Sequence, residues 1–115
     1  MTYVDGFMAP VAAGKREEFT RFAKEAAKIF KENGALQVVD CWSNDVPEGK
    51  VTSMHMAVQR KGDEAIAFGW VLWPSKDVRD SGMQKVMGDS RMQAMGMPFD
   101  GPRAIFGGFE VVSSS

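Results

Sequence analysis

The chain of 115 residues has one cysteine, one histidine, one tyrosine and almost no net charge. Each scarcity removes a class of function. A lone thiol, Cys41, cannot form an intrachain disulfide, which points to a reducing, cytoplasmic setting. A lone histidine, His55, with no cysteine at ligand spacing rules out a His/Cys zinc site within one chain. A carboxylate-rich metal site is not excluded in this way, but no ligand motif appears, and no metal is expected. Fourteen basic against fifteen acidic residues give a formal charge of −1, so there is no electrostatic footprint for nucleic acid or an anionic membrane. No apolar run approaches the ~18 residues of a membrane span. The longest, residues 65–73, is interrupted by Gly69 and fits a buried strand. The first residues lack a basic segment ahead of an apolar one, so no signal peptide is expected. Phosphate-loop spacings are absent as well, and no cofactor is expected.

What is there fits one domain over residues 1–112, with a serine tail at 113–115. Residues 3–10 read as a first strand. Phe19, Phe22, Ala23, Ala26, Ile29 and Phe30 recur at three and four, which predicts a helix over 15–33. Its charged residues pair at i,i+4 on the opposite, solvated face. Residues 35–44 form a second strand. Ser53 can cap a helical turn through residue 58. Residues 66–73 are the most apolar strand and so belong at the centre of the sheet. Ser75 can cap a second helix, Asp89-Ser90 starts a further turn, and residues 103–112 form the last strand. His55 is expected at the surface or in a loop, and Cys41 as a buried structural cysteine. The methionines at 83, 87, 92, 95 and 97 read as adaptable packing, with a plastic small-molecule pocket as the functional alternative.

The order βαββαβ predicts an α+β, ferredoxin-like antiparallel sheet with both helices on one face and strands one and three in the middle. Two helices cover one face only. Phe68, Trp70 and Leu72 share one side of strand three, and Val71 and Trp73 the other. An uncovered apolar face implies a partner, and a second copy of the chain answers it.

Five segments combine specifically: YVDGF at 3–7, GALQVVDC at 34–41, GKVTS at 49–53, WPSKDVRD at 73–80, and MPFDGPRAIFGGFE at 97–110. On these the chain resembles uncharacterised family 1428 of the domains of unknown function, which is similar to the dimeric α/β-barrel superfamily. Two departures stand out: a short stretch at 92–97, and Met54-His55-Met56 where an aromatic followed by proline is expected. The resemblance implies a homodimer with a shared, sheet-lined interior and carries no established activity or catalytic residues.

The ligand-binding candidates are Tyr3, Asp5, Asp40, Trp42, Trp70 and Arg103. Strands avoid aspartate, so Asp5 and Asp40 each need a reason. One reading makes them proton acceptors or substrate anchors in the dimer interior. The stronger one pairs them with Arg103, Tyr3 or a backbone donor, or leaves them on a solvated rim. Asp100, Gly101 and Pro102 build a stiff turn, from which Arg103 can clamp a carboxylate or read an anionic ligand. Gly107-Gly108 suggests a bulge or a close backbone approach. The leading functional expectation is a cytoplasmic homodimer that binds a small molecule in its interior. A cofactor-independent monooxygenase-like enzyme is the alternative, by analogy of fold. RNA binding is disfavoured by the balanced charge and the missing aromatic strand pattern.

Overall fold

The computed structural model describes residues 2–115. Four strands form one antiparallel sheet: β1 (Tyr3–Val11), β2 (Gln37–Trp42), β3 (Ala65–Trp73) and β4 (Ile105–Glu110). Their order is β2-β3-β1-β4, so the most apolar strand lies inside the sheet, as its composition demands. Among the described residues there are four α-helices, α1 (Arg16–Glu32), α2 (Met54–Ala57), α3 (Lys76–Met87) and α4 (Ser90–Met95), and two short 3-10 turns, Ala13–Lys15 and Gly101–Arg103. None is long and apolar enough to cross a membrane.

The long helices form where the sequence supplies both stripe and cap. Helix α1 buries Phe19, Ala23, Ala26 and Ile29 and turns its charges outward. It ends where the Asn33 side-chain Nδ2 donates to the Ile29 carbonyl at 2.8 Å and Gly34 takes φ +107°. The Ser75 hydroxyl caps α3 by accepting from the Val78 amide at 3.2 Å. Gly82 lets α3 press on the core, because a Cβ there would lie 2.5 Å from the Trp73 ring. Trp73 is fully buried, with Phe30 meeting it edge-on at 6.1 Å. The short α2 starts where Ser53 accepts from the Met56 amide.

Three expectations are corrected. The second strand is shorter than residues 35–44: it spans Gln37–Trp42, with the Leu36 and Ser43 amides still donating across to the neighbouring strand at its two ends. Gly107-Gly108 makes no bulge: the β1–β4 register runs unbroken from Tyr3 opposite Glu110 to Met8 opposite Ile105. The reason for the second glycine is a close approach to Tyr3. His55 is neither exposed nor in a loop. It is half-buried on α2, with Nε2 3.0 Å from the Val46 carbonyl and Nδ1 buried without a partner. The methionines also divide: Met83 packs beside Trp73, whereas Met87 and Met97 are exposed.

Pairing register separates the two sheet faces. Tyr3, Asp5, Phe7, Val38, Asp40, Trp42, Val71 and Trp73 share the face under the helices. Val4, Met8, Val39, Cys41, Phe68, Trp70, Leu72, Ile105 and Phe109 share the other, which no helix pair covers. Within the strands that open face carries no charged side chain. Phe68, Ile105 and Phe109 are exposed there, the last at 61%.

Candidate functional site

Asp5 sits under α3 and is saturated. Its carboxylate accepts from Arg79 Nε at 3.1 Å, from Arg79 Nη2 at 2.8 Å and from the Trp73 indole at 2.9 Å. The Arg79 guanidinium also lies 5.2 Å from the centre of the Tyr3 ring. A Cβ at residue 108 would collide with the Tyr3 hydroxyl and lie 2.8 Å from Arg79, so glycine is required there. The carboxylates of Asp5 and Asp80 hold the Arg79 guanidinium charged. Asp5 therefore has a protein partner, but it is Arg79, not Arg103. Arg79 escaped the sequence reading, although it lies on the same helical stripe as Val78, Gly82 and Val86. A charge on an apolar stripe signals a buried pair.

Arg103 is likewise occupied. Its nitrogens meet both Glu64 oxygens at 2.8 Å, Asp100 at 2.8 Å and the Gln59 carbonyl at 2.9 Å. These bonds tie the turn before β4 to the turn before β3. They also hold the Glu64 carboxyl well below its ordinary range, at about 2. Two carboxylates and a backbone carbonyl occupy this guanidinium.

Asp40 differs. It stands on the same face as Asp5, near the edge of the sheet. No hydrogen-bonding or charged group among the described residues acts on it, and burial alone pushes its carboxyl above the usual range. Its Oδ1 leans over Gly69 of the neighbouring strand, where a Cβ would lie only 2.9 Å away. Beside it, α1 and β2 border a cleft of about 340 Å³ lined by Arg16, Thr20, Lys24, Asp40 and Trp42, with Ala23 and Ala27 among its walls. The small alanines leave the space open. Arg16 lies 5.9 Å from the centre of a Trp42 ring. The Thr20 hydroxyl donates to the Arg16 carbonyl at 2.8 Å, leaving its oxygen free to accept. Asp40 is solvent-exposed at this cleft.

Trp70 lies on the open face. Its indole donates to Gln37 at 3.2 Å and its ring meets Phe68 at 5.9 Å. The six sequence candidates thus occupy four places: Tyr3 with Asp5, Asp40 with Trp42, Trp70 alone, and Arg103 alone. Only Asp40 and Trp42 border a cleft together. Arg16, Thr20 and Lys24 were missed there, although their four-residue spacing marks one helix stripe. A second cleft of about 450 Å³ runs between α1 and residues 95–98, lined by Phe22, Met95 and Met97. No group of His, Cys, Asp or Glu among the described residues is arranged to hold a metal ion.

An antiparallel four-stranded sheet with its long helices α1 and α3 on one face defines a ferredoxin-like α+β protein. The fold is shared with an uncharacterized NIPSNAP domain protein from Burkholderia xenovorans, at TM-score 0.57 and 16% identity, covering 96% of this chain and 95% of the other. It is shared also with the de novo designed protein Foldit4, at TM-score 0.52 and 8% identity, covering 96% and 99%. A designed neighbour makes plain that this architecture prescribes no function. The family described as protein of unknown function (DUF1428) matches residues 2–101, and the chain belongs to it. The uncharacterized protein YbaA of Escherichia coli K12 is 51% identical over 114 residues, with 97% of each chain covered. YbaA of Shigella flexneri matches equally.

Proposed function

We propose that the chain acts as a homodimer, open sheet face against open sheet face, and that it binds a small organic molecule. The observation that carries the dimer is the uncovered face itself. Phe68, Trp70, Leu72, Met8 and Phe109 lie together there with no charge among them. Contiguous apolar surface of this kind favours burial against a partner, and a second copy presents the matching surface. The same composition argues for packing between the sheets rather than for a polar ligand there. The groups able to orient a ligand lie on the helix side, around Asp40 and Trp42. The unpaired thiol of Cys41 favours a reducing, cytoplasmic setting.

Size-exclusion chromatography with light scattering tests the assembly. The expected mass at micromolar concentration is twice the 12.6 kDa of one chain, falling to one chain in Phe68→Asp. A stable single-chain mass for the native sequence overturns the dimer.

A further inference from the structure

We propose that the cleft between α1 and β2 binds a small organic acid that also carries an O–H or N–H donor. The donor lies on Asp40, the acid group on Arg16 and Lys24, and the body of the molecule against Trp42. This rests on the small-molecule reading above and gives that reading a place and a chemistry.

Three observations converge on it. First, Asp40 is a carboxylate with no protein donor, held over Gly69 at the cleft. The Asp40 side chain is exposed in the cleft, so its carboxylate oxygens are open to a ligand donor that displaces water. The other strand aspartate, Asp5, has three such bonds from one arginine and one from Trp73. Second, the same cleft has two cations that do not neutralise Asp40. Arg60, Arg79, Arg91 and Arg103 each engage a protein carboxylate, whereas Arg16, like Arg21, has none among the described residues and lies over the face of Trp42. Third, a volume of about 340 Å³ suits one substituted ring.

The charges decide between ligand classes. A simple cation would meet Arg16 and Lys24. A simple anion would meet the Asp40 carboxylate with no donor to offer it. A molecule with an acid group at one end and a donor at the other complements both, and a flat body uses the Trp42 ring.

The test is a titration followed by amide and indole shifts in 1H–15N NMR spectra of the full chain, with 4-hydroxybenzoate, benzoate and phenol as probes. Saturable shifts at the Trp42 indole and the Thr20 and Asp40 amides are expected for 4-hydroxybenzoate, with binding about tenfold tighter than for either probe bearing one group alone. Asp40→Ala should reduce 4-hydroxybenzoate to the level of benzoate and leave benzoate unchanged. Lys24→Ala should weaken both acids. Equal affinity for benzoate and 4-hydroxybenzoate in the native chain overturns the role of Asp40. Shifts centred on Trp70 and Phe68 overturn the cleft but leave the small-molecule reading standing. No saturable shift anywhere at ~10 mM removes this proposal for the cleft, while the dimer still stands or falls by its mass.

Discussion

Asp5 and Asp40 are the same residue type, in strands of one sheet, on the same face, under the same layer of helices. Asp5 is clamped by Arg79 and Trp73 with side-chain exposure of only 12%. Asp40 has no partner and stays in contact with solvent. The difference comes from the helix overhead. Helix α3 reaches Asp5 with an arginine, whereas α1 leaves room beside Asp40 with Ala23 and Ala27. A strand aspartate is therefore not by itself a sign of function. Its meaning depends on whether the protein has already satisfied it.

The largest test of this contrast is Arg79→Ala. It leaves the largely buried Asp5 side chain with only the Trp73 indole as donor, and should cost about 3 kcal/mol, a fall of about 15 °C in Tm by calorimetry. Replacing both partners, as Asp5→Leu with Arg79→Met, should recover most of that loss. A fall of only a degree or two in the single variant would make the clamp a decoration.

Glu64 extends the comparison to a second saturated carboxylate. Its folded pKa of about 2 lies below the ordinary ~4.3 of the unfolded chain. The stabilisation is therefore present above about pH 5 and lost as pH falls toward 2. After solvent screening it amounts to about 1 kcal/mol. Glu64→Gln should flatten the acid limb of stability against pH, as read by urea unfolding across that range.

Asp40 should behave with the opposite sign. Its folded pKa is raised, so its protonated form favours the fold, and stability falls as pH rises through that pKa. Asp40→Asn should accordingly raise Tm slightly at neutral pH. A loss of stability would mean that the carboxylate has a structural partner after all.

Much of the architecture was legible in the chain. The apolar run at 65–73 announced a central strand, and the three-and-four recurrence from Phe19 to Phe30 announced α1. Ser53 and Ser75 marked helix starts because a hydroxyl ahead of a helix satisfies a free amide. The faces of β3 followed from simple alternation. The partners of the polar groups were not legible in this way. Asp5 and Arg79 are 74 positions apart, and Arg103 and Glu64 are 39 apart, so only the folded topology brings each pair together. His55 was misjudged because a short helix, rather than a loop, carries it inward. Asp40 and Trp42 could be named from their strand, but the cleft depends on the alanines and cations of α1 that face them.

The most direct measurement is the 13C titration of the Asp40 side-chain carboxyl, with and without 4-hydroxybenzoate. The midpoint should lie above the ordinary ~3.9 in the free protein and fall when a ligand donor binds the carboxylate. A midpoint at or below the ordinary value, unchanged by the ligand, would contradict a carboxylate without a protein partner and open to a ligand in this cleft.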